Sequence, residues 1–149
     1  MLVQLSTNMD ILQIEAEFQA EPLALFRYWV EPALLAQWWS PQAESECYEG
    51  GAYHLAWPQR GWHLRGRYSA FVPGKQLSFT WQWDHESAEA DLKNVEVLFE
   101  GLASGGTRLL LTHGPYRATP EDQARRIDEH LAGWMHFLAC LQQVVAQAA

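Results

Sequence analysis

Six histidines are the most chemically capable side chains in this 149-residue chain, and their spacing limits what they can do. A zinc centre needs three or four converging ligands, usually announced by closely spaced pairs. His54 and His63 fall on separate predicted strands, and His130 and His136 lie six apart on poorly matched faces of a predicted helix. No metal or cofactor is expected, and these are read as surface or core histidines. His113 differs. It ends an otherwise apolar strand face, where an imidazole could orient a ligand or move a proton at neutral pH. The structural reading, in which it bonds a backbone carbonyl and closes the end of the sheet, is preferred, since site histidines are fewer than structural ones.

Covalent catalysis has little support. There is no G-x-S-x-G elbow, and neither Cys47 nor Cys140 has a histidine beside it. Two cysteines without ligand spacing or disulfide density read as buried thiols. Gly101 to Thr107 imitates a phosphate loop, with four residues between Gly101 and Gly106, yet the lysine that would reach the phosphates is missing. A hairpin turn explains it better. No catalytic residue is predicted, and a binding module is preferred to an enzyme.

The unusual feature is aromatic: eight tryptophans, five tyrosines and six phenylalanines. Large rings either pack a core or line an apolar site. Several indoles each need a partner for the ring N–H, which a partly wet pocket can supply. A net charge of −8 repels nucleic acid and anionic membranes. The hydrophobic fraction of 48% argues against disorder, and no apolar run approaches the roughly 18–20 residues of a bilayer span. The Met1 end lacks the basic-then-apolar pattern of a secretory signal, so a cytoplasmic protein is expected. The length suits one domain, 1–149, with the first few residues as a flexible tail.

The elements that must position these side chains are readable from period and punctuation. Asp10 to Phe18 alternates as a first strand with Leu12, Ile14, Ala16 and Phe18 on its dry face. Pro22 and Pro32 open two short helical segments, the second carrying Leu34, Leu35, Trp38 and Trp39 before Pro41. Short alternating runs follow at 43–48, 52–57, 62–72, 77–84, 95–99 and 107–113, an antiparallel meander. Pro73-Gly74 suits a type II turn, and the polar run 85–93 reads as an exposed loop. Arg65 and Arg67 alternate outward with His63 as a solvated strip. Thr119, Pro120, Glu121 and Asp122 make a strong helix start. From there Ile127, Leu131, Trp134, Leu138, Leu141 and Val145 form one stripe of a helix running roughly 40 Å to Gln147. The fold class predicted is α+β, about six or seven antiparallel strands covered by that helix.

Several stretches together resemble a known family. PALLAQWWSP from Pro32 to Pro41, Gly50-Gly51, PGKQLSFTWQW from Pro73, GGTRLLLTHG from Gly105 and HLAGW from His130 look like the START-related helix-grip (SRPBCC) superfamily. Within it, the chain is similar to the branch named for activators of the heat-shock protein 90 ATPase. The resemblance implies a curved sheet wrapped around the C-terminal helix, with two short helices after the first strand. It also implies a cavity lined by the inward faces: Tyr53, Leu55, Trp57, Trp62, Tyr68, Phe79, Trp81, Trp83, Phe99, Leu111 and His113, with Trp134 and Leu138 from the helix. Gly133, beside Trp134, would mark close approach of helix and sheet.

The function so implied is binding of a small hydrophobic molecule, aromatic or lipid-like, in that cavity. Two alternatives stand beside it: a cyclase- or hydrolase-like enzyme using His113 with a cavity tyrosine, and a chaperone-associated protein-interaction domain linked to stress response. The partner expected is a small apolar molecule, without nucleic acid or membrane insertion; a protein partner or a homodimer remains open.

Overall fold

The computed structural model describes residues 1–6, 8–86 and 92–148. Most of the loop expected over 85–93 therefore lies outside the described residues. Among these residues eight strands form one antiparallel sheet: β1 (Leu2–Gln4), β2 (Leu12–Phe18), β3 (Gln42–Ser45), β4 (Ala52–Trp57), β5 (Trp62–Val72), β6 (Gln76–Trp83), β7 (Lys93–Gly101) and β8 (Thr107–Gly114). Their order across the sheet is β1-β2-β8-β7-β6-β5-β4-β3. From β4 to β8 each strand pairs with its neighbour in sequence, the meander that the turn residues imply. Gly74 sits in the Pro73-Gly74 turn with φ at 75°, and Lys75 N–H donates to Val72 O across it at 2.9 Å.

The strand count corrects the expected six or seven to eight, and the added strand lies in the segment read as a tail. Three residues are too few to show a periodic pattern. They are ordered by tertiary pairing instead: Leu2 opposes Ala16 and Gln4 opposes Ile14. The Gln142 side-chain amide donates to the carbonyls of Met1 and Glu17, both at 2.9 Å, so the C-terminal helix also holds this edge. Two short helices, α1 (Pro22–Arg27) and α2 (Pro32–Leu35), begin with proline in the first turn, and both follow the second strand rather than the first.

The C-terminal helix has three consecutive parts: α3 (Pro120–Ala124), a π-helical stretch (Arg125–Leu131) and α4 (Ala132–Ala148). The Thr119 hydroxyl accepts from Asp122 N–H at 3.3 Å, the cap its sequence announces. The inward stripe holds for Trp134, Leu138, Leu141 and Val145 but fails at Ile127, which is 41% exposed. Hydrogen bonds from i to i+5 put more than 3.6 residues in each turn and shift the phase. Arg126 and His130 are buried there instead. Among the described residues, no helix is long and apolar enough to cross a membrane.

The centre between sheet and helix is filled with indoles. Trp38 and Trp39 stack at 5.4 Å, and Trp39 lies 5.1 Å from Trp134 and 6.0 Å from Trp81. Trp29 meets Trp38 at 4.8 Å and Trp134 at 5.9 Å. The tryptophans thus serve as core here, and Phe26 continues it against Phe71 and Phe99 at 5.2 and 5.4 Å.

On β5, Gly66 lets another aromatic close down on the sheet. A Cβ there would stand 2.1 Å from Thr80 O and 2.5 Å from the Tyr53 ring. The Tyr53 hydroxyl passes this point to donate to Thr80 O at 2.5 Å. Gly66→Ala is expected to destabilise the protein by roughly 2–4 kcal/mol through overpacking of sheet backbone. Urea unfolding of the variant measures this; an unchanged midpoint would show that the sheet relaxes around the methyl group.

Candidate ligand cleft

The indole packing stops short at one end of the molecule. There the ends of β4, β5 and β6 and the π-helical stretch enclose an open cleft of about 810 Å³. Trp39, Trp57, Trp62, Trp81, Trp83 and Trp134 wall it, with Phe137 beside them. Alternation on β6 sends Trp81 and Trp83 to the same side, and pairing of Trp57 with Trp62 at the end of the β4–β5 ladder brings two more indoles to the rim. Trp83 packs on Trp57 at 5.4 Å and on Trp62 at 6.0 Å. Trp62 is 40% exposed, with the Arg60 guanidinium 5.0 Å over its ring.

Of the residues expected around a cavity, Trp57, Trp62, Trp81, Trp83 and Trp134 line this cleft. Of the others, Leu55, Tyr68, Phe79, Phe99, Leu111 and Leu138 are buried in the core, Tyr53 borders a second depression on β4 and β5, and His113 is buried directly behind the lining, against Trp81 and His130. Sequence reasoning left out Trp39, Arg60, Glu86, Arg125 and His130, which do line it. The Trp38-Trp39 pair was a usable signal for the first. His130 was not, because only the π-helical turn brings it inward. Gly133 corrects another expectation: a Cβ there meets nothing within 4 Å, so this glycine borders open space rather than a close contact.

Polar groups at the base of the cleft are tightly placed. His113 Nδ1 accepts from Trp134 Nε1 at 3.0 Å, so it bonds an indole and not the backbone carbonyl expected. Its ring stacks on His130 at 4.4 Å, the planes 9° apart. His130 Nδ1 lies 2.7 Å from the Tyr116 hydroxyl. Burial, then the neighbouring His130 and Lys93, push His113 well below its ordinary pKa. Burial, with Lys93 and Arg125 nearby, lowers His130 to about 3. Both rings are therefore neutral at pH 7. Of the central indoles, Trp38 donates to Tyr28 O at 2.8 Å and Trp57 to Trp39 O at 3.0 Å, whereas the N–H groups of Trp29 and Trp81 are buried with no acceptor among the described residues.

An ion-pair chain holds the π-helical stretch beside the sheet. Lys93 Nζ on β7 donates to Asp122 Oδ2 at 3.0 Å and to Pro115 O at 2.9 Å, and lies 4.5 Å over the Tyr116 ring. Burial acts to raise the Asp122 carboxyl, but the Arg117 amide, Lys93 and Arg125 outweigh it and hold the group below its usual value. Arg125 bridges Asp122 at 2.6 Å and Glu86 at 3.3 Å.

The charged face of β3, β4 and β5 has its own depression of about 810 Å³, lined by Glu44, Glu46, His54, Arg65 and Arg67 among others. Two of its polar groups are already engaged by neighbours outside the lining, Arg65 by Asp84 at 2.9 Å and His54 by His63 at 2.8 Å, so we place the site in the aromatic cleft. Among the described residues no three His, Cys, Asp or Glu side chains gather as metal ligands. Cys47 is exposed and Cys140 half-buried, against the expectation of two buried thiols.

Residues 19–146 match the family described as Activator of Hsp90 ATPase homolog 1-like protein. The chain belongs to this family. A search of curated proteins finds no match. Among solved structures, protein MLL2253 from Mesorhizobium loti is similar at a TM-score of 0.81 and 22% identity, over 93% of this chain and 98% of that one. PFC0360w from Plasmodium falciparum, described as an HSP90 activator, gives 0.74 and 20% over 92% and 96%. DynU16, a protein of the dynemicin biosynthetic locus, gives 0.77 and 16% over 93% of this chain and 48% of that one. At these identities the likeness establishes the helix-grip fold.

The stacked histidines, His113 and His130, make the protein's stability depend on pH. Each histidine binds a proton more readily unfolded, near pH 6.5, than folded, so their contribution is complete above that pH and is lost as pH falls. The slope is about 1.4 kcal/mol per pH unit for each ring, continuing for His130 towards about pH 3. Urea unfolding between pH 7 and 4 should show this loss, with a shallower slope in His130→Phe; equal slopes would contradict it. Gly133→Ala should raise stability by up to ~1 kcal/mol, since the helix gains and the added methyl meets open space. Thermal unfolding with a lowered Tm would refute that account of Gly133.

Proposed function

We propose that this protein holds a small, mostly apolar molecule, flat and aromatic or lipid-like, in the cleft between sheet and C-terminal helix. One observation carries the reading: about 810 Å³ of open volume walled by six indoles, beside a core whose other tryptophans pack tightly. Burial of apolar ligand surface at roughly 25 cal/mol per Å² drives the binding. The indole faces favour flat rings, which stack in offset or edge-on arrangements. A cyclase- or hydrolase-like role for His113 has less support, because its Nδ1 is taken by Trp134 and it does not line the cleft.

The family's name supports a second reading, action on an ATP-driven chaperone; the similar Plasmodium falciparum protein is described as an HSP90 activator. That role would use an outer surface and leave the cleft idle.

Gly133→Leu separates the two, since it places a side chain into open space at the cleft wall. In the unmodified protein, the indole N–H signals of the NMR spectrum should shift saturably with 2-ethylnaphthalene or palmitate. Gly133→Leu should retain its Tm and lose the shifts. No saturable shift with either compound, or shifts indifferent to the leucine, would overturn the cleft reading. Stimulation of a chaperone ATPase that survives Gly133→Leu would favour the second.

A further inference from the structure

Donors and acceptors at the base of the cleft do not balance. An indole N–H can only donate. The 3.0 Å bond from Trp134 Nε1 to His113 therefore requires an unprotonated Nδ1, and the ring's one proton lies on Nε2. That Nε2–H is buried and meets no partner among the described residues.

The stacked ring repeats the arrangement. Tyr116 is buried and its hydroxyl keeps its proton, burial having raised its pKa. The acceptor in reach of that proton is His130 Nδ1, at 2.7 Å. Were His130 to donate instead, the phenolic proton would be left buried without an acceptor, a cost that the observed contact avoids. His130 thus carries its proton on Nε2, on a ring that lines the cleft. No described residue accepts from this Nε2. The third donor is Trp81 Nε1–H, buried and unpartnered on a ring that also lines the cleft. Its centroid lies 4.7 Å from that of His113 and 5.5 Å from that of His130.

Three N–H groups therefore gather behind one end of the aromatic cleft, two of them on rings that line it, and no oxygen among the described residues answers them. Asp122, the nearest buried carboxylate in this layer, is already occupied by Lys93, Arg125 and the Arg117 amide. Glu86 at the wall is engaged by Arg125. We propose that the cleft selects molecules that carry a hydrogen-bond-accepting oxygen, as a ketone, quinone or carboxylate, on a flat apolar body, with that oxygen seated against Trp81 and His130 and with His113 behind them. The proposal rests on the cleft being a ligand site, and it adds the polarity of the ligand's buried end. A compound ending in an ammonium meets donors at this seat, and the lining's other carboxylates, Asp128 and Glu129, stand on exposed residues where water competes for them.

The test is a titration of the full chain with four compounds of one shape: 2-acetylnaphthalene, 2-naphthoate, 2-ethylnaphthalene and 2-(aminomethyl)naphthalene, read by NMR at pH 7. The ketone and the carboxylate should bind about tenfold tighter than the ethyl compound, the factor expected from meeting one or two buried donors. The amine should bind weakest. His130→Phe should reduce the preference of ketone over ethyl to within about threefold, the ratio being taken between the two Kd values of the variant itself. Equal binding of all four, or preference for the amine, overturns the proposal and leaves the cleft reading standing. Binding by none of the four removes both. If His130→Phe does not fold, the four-compound series on the unmodified protein decides alone.

Discussion

One hydrogen bond, from the Trp134 indole to Nδ1 of His113, ties the C-terminal helix to the last strand, and much of the molecule's organisation depends on it. It is buried at both ends, where a net gain of about 1 kcal/mol is joined by the larger cost of leaving either partner unpaired. It fixes the depth at which α4 sits over the sheet, and so where Trp134 meets Trp29 and Trp39. It also fixes the tautomer of His113, a chemical consequence of a packing contact. On one side of this bond the space between sheet and helix is filled with rings; on the other it opens as a cleft.

The π-helical stretch supplies what the bond alone cannot. By widening its turns it moves Ile127 to the outside and brings His130 onto the His113 ring. A histidine pair stacked in a dry interior would repel itself if charged, and burial keeps both rings neutral. The Lys93–Asp122 pair, nearly closed to water, anchors the start of this stretch to β7. Breaking one half of such a pair typically costs about 3–5 kcal/mol, because the other charge is left stranded. The wall of the cleft is thus held by charge where the core is held by rings.

Much of this was legible in the sequence, because it follows from short-range chemistry. Alternation along 77–83 gave the aromatic inner face of β6, Pro73-Gly74 gave its turn, and Thr119 with Pro120 gave the helix start. What was not legible depends on contacts distant along the chain. β1 is ordered by pairing with β2 and by Gln142, neither visible in three residues. The π-helical turn has no signature in apolar spacing, so Ile127 was placed inward and His130 passed over. Gly133 in a helix suggested close packing, whereas its value is the space it leaves. The cleft itself was half legible: five of its indoles lie on faces read as inward, but which tryptophans fill the core and which border open volume is a matter of three-dimensional fit.

The helix-to-sheet hydrogen bond and the buried tyrosine hold both imidazole protons on Nε2, at and behind the wall of an aromatic cleft. The most direct test of that assignment is nitrogen-15 NMR of the histidine rings at pH 7. The account predicts that His113 and His130 are both neutral with the proton on Nε2, and that both Nδ1 atoms show the signal of an acceptor nitrogen. A charged ring, or a proton on Nδ1 of either histidine, would contradict it.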